Sequence, residues 1–220
     1  MEKSMIKPFI AKRVAQEFTD GMVVNLGIGL PVLCTNYLPE GIHVTVHSEL
    51  GIVGQGPAPD AEHADPMHIV DAGGSPSSVV LGGAFTDSSD SFALIRGGHV
   101  DAVVLGGLEV DEEGSLANWI IPGKKMPGMG GAMDLCVGAK HCIICMEHTA
   151  KGNPKIFEKC RLPLTASHCV NKIITEMCVL EVTPEGLLMT EINPEFTVDQ
   201  VKAATAAPIT VSGNLKSMVD

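Results

Sequence analysis

The chain has 220 residues, 45% hydrophobic and 19% charged, which is enough to bury a sizeable core and leaves no long stretch that reads as disordered. A formal net charge of -11 argues against non-specific attraction to nucleic acid or to an anionic membrane surface, but not against an anionic ligand held locally by backbone N–H groups. No run is long and apolar enough to cross a bilayer, residues 1–20 lack a signal-type apolar core, and the seven scattered cysteines form no disulfide-type framework, so the expectation is a single domain over residues 1–220 in a reducing cytoplasm.

Phe9, Ile10, Val14, Ala15 and Phe18 follow a helical stripe with Gly21 as its terminator, and Met22 to Leu26 then reads as a buried strand. It enters Gly27-Ile28-Gly29-Leu30-Pro31, and Val32 to Leu38 reads as a short helix with Pro31 near its first turn. The third glycine and the distal acidic residue of a dinucleotide fingerprint are missing, so this is a tight strand-to-helix turn rather than an NAD site. Such a turn still presents N–H groups above the sheet.

Val44 and Val46 alternate with polar neighbours over residues 42–47, which puts Glu49 at the carboxyl end of a strand, where open α/β sheets gather ligands. Gly51, Gly54 and Gly56 follow at once and permit backbone shapes that a plain surface connection needs less often. Glu49 is therefore the first candidate for chemistry. Residues 57–66 form a Pro- and acid-rich loop beside it, followed by short strands at residues 68–72 and 78–81. Asp87 or Ser88 caps a helix containing Phe92 to Ile95, which Gly97-Gly98 ends, and Val100 to Leu105 is a buried strand. Strands and helices alternating at this length indicate a mainly parallel sheet covered on both faces.

Residues 111–131 lack regular periodicity and are glycine-rich, a pattern common in functional loops. Residues 132–137 then read as a helix whose first N–H groups suit a developing oxyanion. Arg96, His99, Lys124 and Lys125 lie beside glycine-rich segments where a phosphate could be held. Cys142 and Cys145 are three apart in an extended run, so they face opposite sides and read as buried thiols, not as a metal pair. Thr165 is placed as the cap of a helix running through Val170, Ile173 and Ile174; residues 178–182 and 187–192 pair as a hairpin around Pro184-Glu185-Gly186. Thr197 starts a short helix, and residues 209–211 form a last strand.

Several segments together resemble the beta subunit of the family I (acetate/acetoacetate, 3-oxoacid) coenzyme A-transferases over nearly the whole chain. They are Asn25-Leu26-Gly27-Ile28-Gly29-Leu30-Pro31, His47-Ser48-Glu49, Ser91-Phe92-Ala93-Leu94-Ile95-Arg96-Gly97-Gly98-His99, Ala117-Asn118-Trp119-Ile120-Ile121-Pro122-Gly123-Lys124 and Gly128-Met129-Gly130-Gly131-Ala132-Met133-Asp134-Leu135. The resemblance implies an open, mainly parallel α/β sheet of the sugar isomerase-like superfamily, with helices on both faces and a C-terminal hairpin. It also implies a ping-pong exchange of coenzyme A between an acyl-CoA and a short-chain carboxylic or 3-oxo acid, with Glu49 as the nucleophile that carries a glutamyl-CoA thioester. A carboxylate suits this role without a His or Ser partner, because it needs no base to ionise it at neutral pH.

By the same resemblance Gly130 and Gly131 supply the oxyanion hole, and Asn25, Gly27, Gly29, Leu50, Gly51 and Lys124 belong to the CoA and acyl pocket. Coenzyme A is expected as substrate, with no tightly bound cofactor and no metal. An alpha subunit is expected to complete the site in an α2β2 assembly, with neither nucleic acid nor membrane as partner. Family members read Ser-Glu-Asn-Gly at the nucleophile; Leu50 stands here in place of the amide, which bears on acid specificity and loop geometry. The alternatives are a sugar-phosphate isomerase with Glu49 as general base, or a metabolite-binding subunit of the same superfamily.

Overall fold

The structure, a computed structural model, describes residues 1–121, 123 and 128–219. Along the chain run α1 (Lys3–Ala15), β1 (Val23–Leu26), a 3₁₀ helix (Pro31–Tyr37), β2 (Thr45–Ser48), β3 (Ile52–Gly56), β4 (Ser78–Phe85), α2 (Ser88–Arg96), β5 (Ala102–Leu105), β6 (Glu109–Asp111) and β7 (Leu116–Ala117). There follow α3 (Ala132–Gly138), β8 (His141–Cys145), β9 (Thr149–Ala150), β10 (Asn153–Pro154), β11 (Ile156–Phe157), β12 (Lys172–Ile174), β13 (Cys178–Thr183), β14 (Gly186–Ile192), α4 (Val198–Ala203) and β15 (Ile209–Ser217).

Ten strands form one sheet in the order β15-β14-β13-β12-β8-β5-β1-β2-β3-β4. Its centre, β2-β1-β5-β8-β12, is wholly parallel, and antiparallel pairs flank it on both sides. The innermost strands β1, β5, β8 and β12 are short and mostly apolar because both faces are covered. Val24, Ala102, Val104, Ile143 and Cys145 meet Ile10, Val14 and Phe18 from the α1 region and Cys34 of the 3₁₀ helix. Val103, Leu105, Cys142 and Ile144 face the other way, onto Ile95 of α2 and Leu135 and Cys136 of α3. Each such aliphatic side chain moved out of water contributes roughly 1.5–3 kcal/mol, so the alternation fixes which face each strand presents. Cys142 and Cys145 accordingly sit in different cores, as their spacing requires.

Three local expectations give way. The N-terminal helix stops at Ala15 rather than at Gly21, although Phe18 stays in the same core. Residues 68–72 supply only an isolated bridge between Val70 and Pro76, since His68 turns back onto Asp65. The glycines after Glu49, by contrast, lie in or beside β3, which pairs antiparallel with β2, and Gly51 and Gly54 take the positive φ values, 111° and 85°, that glycine permits. No helix starts at Thr165: its hydroxyl is spent on Asn118, donating to Oδ1 at 2.6 Å and accepting the backbone N–H at 3.1 Å, and His168 adopts a φ of 51°. That left-handed backbone interrupts any helix through residue 170. The predicted caps at Asp87 and Thr197, the latter a full capping box with Gln200, are present, as is the hairpin of β13 and β14. Among the described residues no helix is long and apolar enough to cross a membrane.

Candidate active site

Glu49 and Leu50 form the turn that joins β2 to β3, closed by the Gly51 N–H donating to the Ser48 carbonyl at 3.0 Å. Gly51 holds a φ of 111°, and a Cβ there would lie 2.2 Å from the Thr86 carbonyl oxygen, so only glycine fits. The hairpin is tied to α2 as well, because the fully buried Ser91 donates its hydroxyl to the Ser48 carbonyl at 3.0 Å. The turn is therefore anchored on two sides, and its half-buried carboxylate is held over a cleft of about 580 Å³.

Asn25, Gly27, Glu49, Gly106, Asn118, Gly130 and Gly131 all border that cleft. Asn25, at the end of β1 and 2% exposed, donates from Nδ2 to Glu49 Oε2 at 3.1 Å. Gly27 packs against β5, donating its N–H to the Val104 carbonyl at 2.8 Å, and a Cβ there would press on Leu105 Cδ2 at 3.1 Å. Gly131 precedes the first turn of α3. A Cβ on it would stand 3.0 Å from Glu49 Cγ and 3.2 Å from Phe92 Cζ, which measures how closely the backbone of this turn approaches the carboxylate. Gly130 holds a φ of 55° in the same turn.

Of the residues singled out in the sequence, Asn25, Gly27, Glu49, Gly130 and Gly131 are thus brought together. Gly29, Leu50 and Gly51 do not border the cleft: Gly29 serves its turn with a φ of 87°, Leu50 is 52% exposed, and Gly51 shapes the hairpin. Lys124 and Lys125 lie outside the described residues. Arg96 pairs with Asp134 at 2.7 Å on the surface and stacks over Phe92, and neither it nor His99 borders the cleft.

Sequence reasoning passed over His47 and Asn118 as site residues. Asn118 donates to the Gly106 carbonyl at 3.1 Å and so braces the far wall. His47 is 1% exposed; its Nδ1 lies 3.3 Å from Asn25 Nδ2 and its Nε2 2.9 Å from Ser91 Oγ. Burial pushes its pKa below the ordinary histidine value, while the Glu49 charge and a hydrogen bond with Ser91 pull it partly back. The Ser91–His47 pair is not a serine nucleophile, because the hydroxyl proton is committed to a carbonyl and the group is fully buried. The signal the sequence did hold is nearness: His47 lies in β2 two positions before Glu49, which the turn at the end of that strand presents. Elsewhere, the sulfurs of Cys136, Cys142 and Cys169 lie within 4.8 Å of one another. With no fourth ligand in that group among the described residues, three thiolates around a divalent cation would leave net negative charge in an apolar core, so packed thiols fit this pocket better.

The family description "Coenzyme A transferase" matches residues 8–204. The chain is 53% identical over 212 residues to a protein of Escherichia coli (strain K12) named acetate CoA-transferase subunit beta, covering 96% of each. It is 49% identical to the mouse mitochondrial succinyl-CoA:3-ketoacid coenzyme A transferase 2B, covering 95% of this chain and 41% of the mouse protein. Among solved structures, an acyl-CoA transferase apoenzyme of E. coli O157:H7 superposes with a TM-score of 0.73 at 21% identity, over 96% of this chain and 43% of that one, a likeness of fold. With a family match that runs through nearly every element bordering the cleft, and a relative identical at more than half of the aligned positions, the chain belongs to the coenzyme A transferase family.

Proposed function

We propose that this chain is the beta subunit of a coenzyme A-transferase acting between an acyl-CoA and a short-chain carboxylic or 3-oxo acid of the acetate, butyrate and acetoacetate class. The observation that carries the reading is the carboxylate of Glu49, aimed by Asn25 over a glycine-lined cleft and approached closely by the backbone of Gly131. The names of the relatives, an acetate CoA-transferase subunit beta and a succinyl-CoA:3-ketoacid transferase, support the substrate class.

In this scheme one Glu49 oxygen attacks the acyl carbonyl of R–CO–S–CoA. The carbonyl electrons move to oxygen, and the N–H groups of Gly130 and Gly131 receive the oxyanion; each such donor is typically worth roughly 2.7–4 kcal/mol. Collapse breaks the C–S bond, expels the CoA thiolate and leaves an acyl-glutamyl anhydride. The thiolate then attacks the glutamyl carbonyl, the carboxylate R–COO⁻ departs, and a glutamyl-CoA thioester remains. An acceptor acid runs the same steps backwards. No proton changes hands at the nucleophile, so no general base is required. The nucleophilic weakness of a carboxylate is offset by placement, which the remote CoA moiety supports through its binding energy.

An alpha subunit completes the CoA site in this reading, in an α2β2 assembly, and coenzyme A is substrate with no tightly bound cofactor. The longer mouse relative, of which this chain spans 41%, leaves length for such a second half. The test is exchange of labelled acetate into acyl-CoA by this chain co-expressed with its alpha partner. Exchange that depends on both chains is expected; sugar-phosphate isomerisation without CoA, or ligand binding without turnover, would overturn the reading.

A further inference from the structure

The residues that aim Glu49 are arranged in a chain whose hydrogens can be assigned one by one. The Ser48 carbonyl only accepts, so the hydroxyl proton of Ser91 goes to it, at 3.0 Å. Ser91 Oγ is then left as an acceptor and takes the proton of His47 Nε2 at 2.9 Å. A neutral imidazole protonated on Nε2 has a bare lone pair on Nδ1, and the group facing it at 3.3 Å is the amide of Asn25. The same NH2 has a second hydrogen, and that one reaches Glu49 Oε2 at 3.1 Å. With the amide turned over, Asn25 Oδ1 would face a lone pair and a carboxylate at once, two acceptor–acceptor contacts in a site where Asn25 is 2% exposed.

We propose that His47, neutral and protonated on Nε2, is the positioning residue of this site: it locks the Asn25 amide so that its NH2 faces the cleft and holds the Glu49 carboxylate for attack. The inference rests on Glu49 being the nucleophile. Burial favours the neutral ring that the proton chain requires. The titratable groups around it are Glu49 on its own segment and Asp71, which shares a small recess with His47 from the loop before β4. Asp87 and Asp90, near Ser91 on α2, are turned to solvent; Asn25 and Ser91 are neutral. Protonating Nδ1 sets a donor against the Asn25 NH2. The amide must then turn over or give up Glu49, so transfer falls as pH drops through the ionisation of His47.

The test uses the chain co-expressed with its alpha partner. His47→Leu, which removes the acceptor, is expected to lower kcat roughly 10- to 100-fold with little change in the KM for acyl-CoA. His47→Asn puts an oxygen at the position of Nδ1 that cannot be protonated; it should recover most of kcat at pH 7 and lose the acid limb of the wild-type profile. Equal losses in both variants with an unaltered pH profile would mean a merely structural role and would overturn the proposal. Should His47→Leu fail to fold, the Asn variant still decides. Long-range ¹H–¹⁵N spectra of the wild-type imidazole decide even where no transfer is detected: an Nε2–H tautomer at pH 7 is expected, and an Nδ1–H tautomer or a cationic ring would refute the assignment independently of the reaction.

Discussion

Two histidines of this molecule are buried to the same degree, and only one belongs to a site. His148, fully buried, has Thr175 Oγ1 at 2.9 Å on Nδ1 and Thr205 Oγ1 at 2.8 Å on Nε2. His47 likewise has a polar partner on each ring nitrogen. The difference lies in where the polar chain ends. From His148 it runs through the half-buried Thr205 into the Val201 carbonyl of α4 and through Thr175 into the turn between β12 and β13, none of which borders the cleft, so the imidazole staples the segment after β8 to its neighbours. From His47 it runs through Asn25 to a half-buried carboxylate bordering an open cleft. A buried, satisfied imidazole is therefore silent about function until its partners are followed outward.

Four substitutions sharpen that contrast, taken from the largest expected effect. Glu49→Ala should lower transfer on the order of 10⁴-fold or more with unchanged thermal stability, read as steady-state exchange beside a melting curve. His148→Ala should do the opposite. Loss of the ring leaves a cavity and two threonine hydroxyls without their partner, costing about 2–4 kcal/mol in denaturant titration while kcat per folded molecule holds.

The same variant tests a pH effect. Burial, helped by the Lys155 charge, depresses His148 to about 4, so the folded state prefers the neutral ring. Its contribution is present above the ordinary histidine value near 6.5 and is lost as pH falls from there towards 4, by roughly 3 kcal/mol. Wild-type stability should drop across that window, and His148→Ala should flatten the drop.

Gly131→Ala introduces a Cβ 3.0 Å from Glu49 Cγ; displacing the carboxylate should lower kcat roughly 10- to 100-fold, visible as a kcat loss at near-wild-type stability. Smallest is Leu50→Asn. The side chain is exposed and outside the cleft, so one added hydrogen bond should alter the ratio of rates between acetate and a 3-oxo acid by no more than about tenfold in a competition assay.

Much of the fold was legible because its signals are local. The capping residues Asp87 and Thr197, the turn before β14 and the apolar run of β5 each carry their instruction within a few positions. The helix expected from Thr165 was not legible as absent, because the group that takes up its hydroxyl, Asn118, lies 47 residues away. The site divides in the same way. Glu49 announced itself by a strand pattern running into glycines, and the glycine turns by their composition. Ser91 meets His47 across 44 residues, a contact that no spacing encodes and that only the packing of α2 on the β2–β3 hairpin creates.

Covalent chemistry at the Glu49 carboxylate leaves a mark that peptide mass spectrometry can read. The enzyme assembled with its alpha partner is incubated with acyl-CoA, reduced with borohydride and digested. Conversion of the Glu49 side chain alone to the alcohol that reduction of a glutamyl thioester yields is expected; an unmodified Glu49 under conditions of active turnover, or conversion at another residue, would refute covalent catalysis by this carboxylate.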